Sequence, residues 1–343
     1  RGVGTAAFNG DQKSFAAFAQ DDWKIRPNLT LNLGIRYDFS TVPTGSKSQA
    51  LNAISSVPGV IEFGEPKNQH LNFAPRVGFA YSPSSENMFG RFLFGRQGQS
   101  SIRANFAMSY YTNFQNLPQI ALPPQVQTEL NPDNSGIDPN LPFLENGGLP
   151  GTLPAITDAA SARLITQARI PDQISPYSLA FNVSYERELT KNMVLEFRYL
   201  HTSGYRLPVQ VRLNAGIVPS NLGLPTFFSD PSAAQLSGLT TTLGDINAQR
   251  RTALGQYGFA SNVTEHSPIG RSVYNAGSVT LTRRFANNLS LTAAYTFSKT
   301  LDNSTNELNS SAINPRRSQD AFDLKNEWGL SALDIPHRFV VSF

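Results

Sequence analysis

The residues best suited to chemistry are few and badly spaced for it. Four histidines occur, His70, His201, His266 and His337, and none stands at metal-ligand spacing from another histidine or a carboxylate pair. They read as loop or rim side chains. "GVGTAA" at 2–7 has the glycines of a phosphate loop, but no strand precedes it and no Lys-Ser/Thr follows, so it reads as flexible chain. Asp21 and Asp22 form an acidic pair. A calcium loop needs ligands at alternating positions and a glycine turn, both missing, so the pair is assigned a structural role near one rim of the wall described below. No Gly-x-Ser-x-Gly elbow is present. Cysteine is absent, which excludes a disulfide framework, a thiolate metal site and a Cys nucleophile. No catalytic, metal or cofactor-binding residue and no cofactor is assigned, the chain is not expected to be an enzyme, and its substrate-binding residues stay unassigned.

The bulk composition points elsewhere. Net charge is +3, from 28 basic and 25 acidic residues, with no basic block that would favour nucleic acid as a partner. Charged residues make up 15%, below the ~25% of soluble domains. Asn, Ser, Thr and Gln fill the gap, and neutral polar residues beside alternating apolar ones suit the wall of a water-filled β-barrel. No run of ~18 apolar residues exists, so no transmembrane helix is expected. The chain opens on Arg1 and closes on Phe343 inside a strand-like run, and is expected to be part of something longer.

The elements that would position any site are strands. "NLTLNLGIRYDF" at 28–39 alternates without exception. Leu29, Leu31, Leu33, Ile35, Tyr37 and Phe39 share one face, and Asn28, Thr30, Asn32, Gly34, Arg36 and Asp38 the other. The same period of two predicts strands near 13–24, 72–82, 101–111, 175–188, 193–206, 271–285, 289–300 and 333–343. Each is about the 9–11 residues that a tilted strand needs to cross a bilayer, or slightly longer.

The connections decide which solvent the apolar face meets. Residues 25–27, 189–192 and 286–288 are tight turns, whereas 40–71, 112–174, 207–270 and 301–332 are long loops, with 83–100 an intermediate member of the short set. Short and long connections alternate, so in an up-and-down meander they gather at opposite ends. Outer-membrane barrels have this asymmetry, with short periplasmic turns and long extracellular loops. A soluble β-sandwich would place turn signals every 8–12 residues on both sides. The odd face of 28–39 is therefore expected against lipid. Tyr37, Phe39, Tyr81, Tyr110, Tyr111, Tyr185, Tyr199, Tyr295 and Phe297 are placed towards strand ends, where rings settle at the membrane interface, with Trp23 at the opposite rim. Arg36, Asp38, Arg76, Arg103, Glu186, Glu196, Arg198 and Arg284 are expected on the wet inner face, as ion-pair ladders, as contacts to a plug, or as solvated charges. The Pro-, Asn- and Gly-rich stretch 116–150 is expected to fold over the barrel mouth without a core of its own, and 155–170 to carry a short helix.

One hairpin resembles a known family. "FAAFAQDDWKIRPNLTLNLGIRYDF" at 15–39 is similar to a hairpin of TonB-dependent outer-membrane receptors. "NFAPRVGFAYSP" (72–83), "SPYSLAFNVSYERELTKNMVLEFRYLHTSGYRL" (175–207), "GSVTLTRRFANNLSLTAAYTFSKTLDN" (277–303) and "DIPHRFVVSF" (334–343) resemble further strands. The subgroup it resembles most is the Oar-like one, whose members carry a carboxypeptidase-regulatory-like domain. The resemblance implies a barrel of about 22 strands, of which 1–343 would be part, closed by an N-terminal plug that lies outside this chain. It implies import of scarce ligands energised through a TonB complex. Expected partners are outer-membrane lipid, the plug, TonB through the missing N-terminal segment, and an unknown extracellular ligand. The family's turns are shorter than 83–100, which puts the register there in question. A passive porin, or a surface adhesin or secretion-linked barrel, would share the wall.

Overall fold

The computed structural model describes residues 2–3, 10–111, 128–129, 156–217, 227, 229–242, 244–245, 251–286, 288–304 and 324–343. Nine long strands follow one another as an antiparallel meander: β1 (Ser14–Arg26), β2 (Leu29–Ser40), β3 (Phe73–Tyr81), β4 (Ser100–Tyr110), β5 (Tyr177–Thr190), β6 (Met193–Arg212), β7 (Thr264–Ala286), β8 (Leu289–Asp302) and β9 (His337–Ser342). Two short strands, Ala168–Arg169 beside β7 and Gly329–Leu330 beside β8, complete a sheet of 11 strands that does not close on itself. All nine expected strands are present, displaced by a few residues.

Register keeps the two faces chemically distinct across the sheet. Leu31, Phe79, Ala104, Val183, Tyr199, Gly277 and Phe297 stand in one cross-strand row. The adjacent row on the other face is Thr30, Ala80, Arg103, Ser184, Arg198, Ser278 and Thr296. A slip of one residue would exchange the faces, so the pattern itself pins the pairing. Leu33, Val77, Phe79, Phe106, Phe181, Phe197, Val279, Phe297 and Phe339 are exposed on the apolar face. An apolar surface that runs across nine strands is far larger than a soluble protein tolerates, whereas lipid solvates it.

The 83–100 connection holds a helix, α1 (Met88–Phe94), capped by the Asn87 side chain on the Gly90 N–H at 2.6 Å and ended at Gly95 with φ 72°. It docks at the short-turn end, where the Tyr185 hydroxyl donates to Leu93 O and Phe94 meets Tyr185 edge-on. The register on either side is regular, with Val77 opposite Phe106 and Tyr81 opposite Ile102, so the added length disturbs nothing in the wall.

β6 and β7 run further than their alternation suggests, to Arg212 and from Thr264. Two bulges are the reason, one on each strand, and the one on β7 puts an extra residue between Gly270, opposite Leu207, and Ser267, opposite Val209. Tyr205 pairs with Arg271 and Leu207 with Gly270, which leaves Arg206 over, at φ 55°. Two successive side chains then share a side, and the parity reverses. A Cβ on Gly270 would lie 2.7 Å from Leu207 O and 2.9 Å from Val209 Cγ2, which places Leu207 and Val209 on the face opposite Tyr205. Past the bulge the odd positions Val209 and Val211 are buried rather than turned to lipid.

Candidate functional site

The long connections build a cap at one end of the wall. The stretch Thr44–Ser55 is a 3-10 helix of 12 residues. Three residues per turn stack every third side chain, and its buried stripe is Ser46, Gln49, Asn52 and Ser55. That stripe is polar, so each group must find a partner. Gln49 Nε2 donates to Gly64 O and Ile170 O, both at 2.8 Å, while its Oε1 accepts from the Ile170 N–H. Ser55 donates to Asn52, and Thr166 Oγ1 reaches Ser55 Oγ at 2.8 Å. Thr166 follows α2 (Ala159–Ile165), the short helix expected within 155–170. Its Arg163 donates to the carbonyls of Ser55, Ser56 and Tyr257.

Beside this network lies a small apolar core of Ile61, Phe63, Leu254, Phe259 and Val263, with Val57, Leu213 and Tyr257 packed on it. Asn214 ties it down, donating to Phe259 O and Ser261 O and accepting from the Leu254 N–H. The buried Glu265 pairs with Arg169 and accepts from Ser267. Residues of 44–64, 156–176, 213–214 and 254–265 thus fold onto one another. The composition of the loops hid this, because the cap is held mostly by buried amides and hydroxyls. Period-three spacing in "SKSQALNAIS" was the available signal. The stretch 116–150 lies outside the described residues apart from Thr128–Glu129, which pairs with Gly2–Val3, as do residues 4–7 of "GVGTAA".

Two hollows open where the cap meets the wall. The larger, about 440 Å³, is lined by Lys67, Asn68, Gln69, Asp172, Gln173, Ile174, Arg206 and Pro268. Gln173 is 4% exposed and its Oε1 has no partner. The smaller, about 220 Å³, includes Arg36, Asp38, Asn72 and Tyr111, and there Asn72 Oδ1 is the unpartnered atom. A buried orphan acceptor costs about 1–3 kcal/mol, so both hollows favour a hydrogen-bond donor.

The inner-face charges do not form ladders across the wall. Arg36 binds Asp38 and Arg198 binds Glu196, each two residues along its own strand. One pair crosses strands, Arg103 to Glu186 at 3.9 Å. Arg76 and Arg284 are exposed and enter no ion pair among the described residues. The acidic pair divides, because successive strand residues face opposite ways. Asp22 accepts from Asn32 at 2.6 Å, and Asp21 stands across from Leu33. The histidines are engaged singly: His70 stacks on Phe39, His201 bonds Asn275 and Ser203, and His337 bonds Tyr295. Among the described residues no cluster could hold a metal ion.

The outward aromatics resolve into two belts. Tyr37, Phe73, Tyr110, Tyr177 and Tyr205 lie at the capped end. Tyr81, Tyr185, Phe197 and Tyr295 lie near the short turns, so Trp23 has company at that rim. Tyr199 and Phe297 stand at mid-strand. Two ring belts around an apolar band, short turns at one end and long connections at the other define a membrane-spanning β-wall. The chain matches the outer membrane beta barrel domain over residues 1–343 and belongs to that family. Its place is the bacterial outer membrane. Similar solved structures include the outer membrane transporter YddB from Escherichia coli, at 10% identity and TM-score 0.41, with 86% of this chain and 25% of that chain covered. Another is the siderophore receptor PirA from Pseudomonas aeruginosa, at 10% identity and TM-score 0.38, covering 85% and 33%. The FrpB iron transporter from Neisseria meningitidis is similar at 10% identity and TM-score 0.39, covering 84% and 26%. The chain therefore spans a third or less of these proteins. No curated protein matches it.

Proposed function

We propose that the chain is the barrel portion of an outer-membrane ligand receptor that imports its ligand with TonB-transmitted energy. The supporting observation is the cap. Three long connections are joined by buried polar contacts, and two of them also share an apolar core, which is the construction of a selective surface rather than of an open mouth. The 15–39 hairpin adds the resemblance to TonB-dependent receptors, and the Oar-like subgroup is the reading it favours. On this reading the wall continues to about 22 strands and an upstream plug fills it. The inner charges Arg36, Arg76, Arg103 and Arg198 then face the plug, and no bond of the ligand is made or broken.

The test uses the full-length protein in cells with and without TonB, grown on limiting siderophore-bound iron, cobalamin, glycan or peptide. Growth that needs both the protein and TonB supports import. Equal growth without TonB identifies a passive pore, and lost adhesion with no growth defect identifies an adhesin. Either result overturns the proposal.

A further inference from the structure

The capped end of the lipid-facing side carries more than an aromatic belt. Tyr177 and Tyr205 stack with centroids 5.2 Å apart. The Arg206 guanidinium lies over Tyr177 at 5.4 Å, and that of Arg271 lies over both Tyr205 at 5.4 Å and Trp328 at 5.5 Å. The order across the rim is Arg206, Tyr177, Tyr205, Arg271, Trp328. Both arginines are exposed, and neither enters an ion pair among the described residues.

Depth makes this arrangement specific. Tyr205 lies about 13 residues beyond the β5–β6 turn. At ~3.3 Å per residue and a tilt of ~45°, that is about 30 Å, the thickness of the hydrocarbon layer. The ladder therefore sits where headgroups of the outer leaflet begin. Aromatic rings alone suit any interface, but two guanidinium ions held flat against rings select an anion, and the fork of arginine fits phosphate.

The larger hollow adjoins the same place, since Arg206 lines it too. It adds the Lys67 cation and the buried orphan Oε1 of Gln173, an acceptor that asks for a hydroxyl or amide donor. Asp172 also lines it and would disfavour a ligand carrying only negative charge. Phosphate, hydroxyl donors and a sugar face that stacks on rings occur together in one class of molecule. We propose that Arg206, Arg271, Lys67 and Gln173 form a binding site for the phosphorylated sugar headgroup of an outer-leaflet glycolipid. This rests on the membrane placement of the wall and is independent of the transport reading.

The experiment takes the full-length protein into lipid nanodiscs and measures bound lipid by native mass spectrometry. The probes are diphosphorylated lipid A and the same lipid without phosphates, with inorganic phosphate as competitor. Retention of the phosphorylated form at least tenfold above the dephosphorylated form is expected, with loss of that preference in Arg206→Gln/Arg271→Gln. Gln173→Leu should weaken glycolipid retention and leave a phosphorylated diacyl lipid unaffected. Arg103→Gln, which removes a cation from the inner face, should leave the preference for the phosphorylated lipid unchanged. Heat-dependent gel mobility checks that each variant is a folded barrel. If the double variant fails that check, the comparison of the two lipids on the unaltered protein decides. Equal retention of both lipids overturns the proposal, as does full displacement by millimolar inorganic phosphate, which would mark a site for a soluble anion.

Discussion

Glu186 and Glu196 stand directly opposite each other across β5 and β6. Like charges in that position repel. Each is answered by its own arginine, Glu186 by Arg103 and Glu196 by Arg198. Those two arginines share the neighbouring row, on either side of Ser184. The two carboxylates lie side by side with one arginine flanking each, and all four charges are solvated enough that their pairing is weak.

Arg198→Ala would leave Glu196 facing Glu186 unanswered. A loss of about 0.5 kcal/mol is expected in urea unfolding from vesicles, and adding Glu196→Gln should restore most of it. A loss that persists in the double variant would show that Arg198 acts through packing rather than charge.

The faces of the wall differ in what they tolerate. Val183 lies mid-strand on the apolar face and its neighbour Asn182 on the polar one. Val183→Arg is expected to cost about 2–4 kcal/mol of stability in a bilayer, while Asn182→Arg should cost well under 1 kcal/mol. The same urea titration measures both. The reverse ranking would mean that the lipid and water faces have been exchanged.

Phe63 is fully buried in the small core of the cap. Phe63→Ala removes about 3–5 kcal/mol, more than a core of that size holds in reserve. Limited proteolysis should then cut within 44–64, with the heat-dependent mobility of the barrel unchanged. Arg163→Ala, which frees three carbonyls, should act in the same direction and more weakly.

Asp158 caps α2, accepting from the backbone N–H of Ser161 at 2.8 Å. That bond, helped by the Ser161 hydroxyl, holds its carboxyl below the ordinary aspartate range. A folded value below the unfolded one means that the contribution is complete above about pH 4 and is lost as pH falls through the folded value. Hydrogen exchange across 156–166, taken relative to the intrinsic rate at each pH, should therefore accelerate on acidification below pH 4. Asp158→Asn keeps a capping oxygen and should remove that acceleration.

The wall was legible in the residues because each strand had to present lipid to one side and water to the other, and that demand writes itself as a period of two. It failed where the demand changed. At Arg206 on β6, and between Ser267 and Gly270 on β7, a bulge reverses the faces and the alternation loses phase, so the last residues of β6 and the first of β7 read as loop. In the cap, Ser46, Gln49, Asn52 and Ser55 are buried polar residues, a combination that patterns of hydrophobicity count as exposed. The inner charges were placed on the correct face, but their partners were not legible. Pairing within a strand, as for Arg36 with Asp38, depends on rotamers rather than on register. Asp21 and Asp22, adjacent in sequence and given one structural role there, lie on opposite sides of the sheet, across from Leu33 and Asn32.

The shared core of the cap has a consequence for how such a protein diversifies. Loops that stand alone can be lengthened, shortened or exchanged one at a time. Here Gln49 is satisfied by Ile170, Arg163 holds Ser55 and Tyr257, and Phe63 packs against Phe259, so no connection is complete without the other two. Variation in the cap must then arrive as matched changes in all three, and a graft of the cap onto another barrel would have to carry them together.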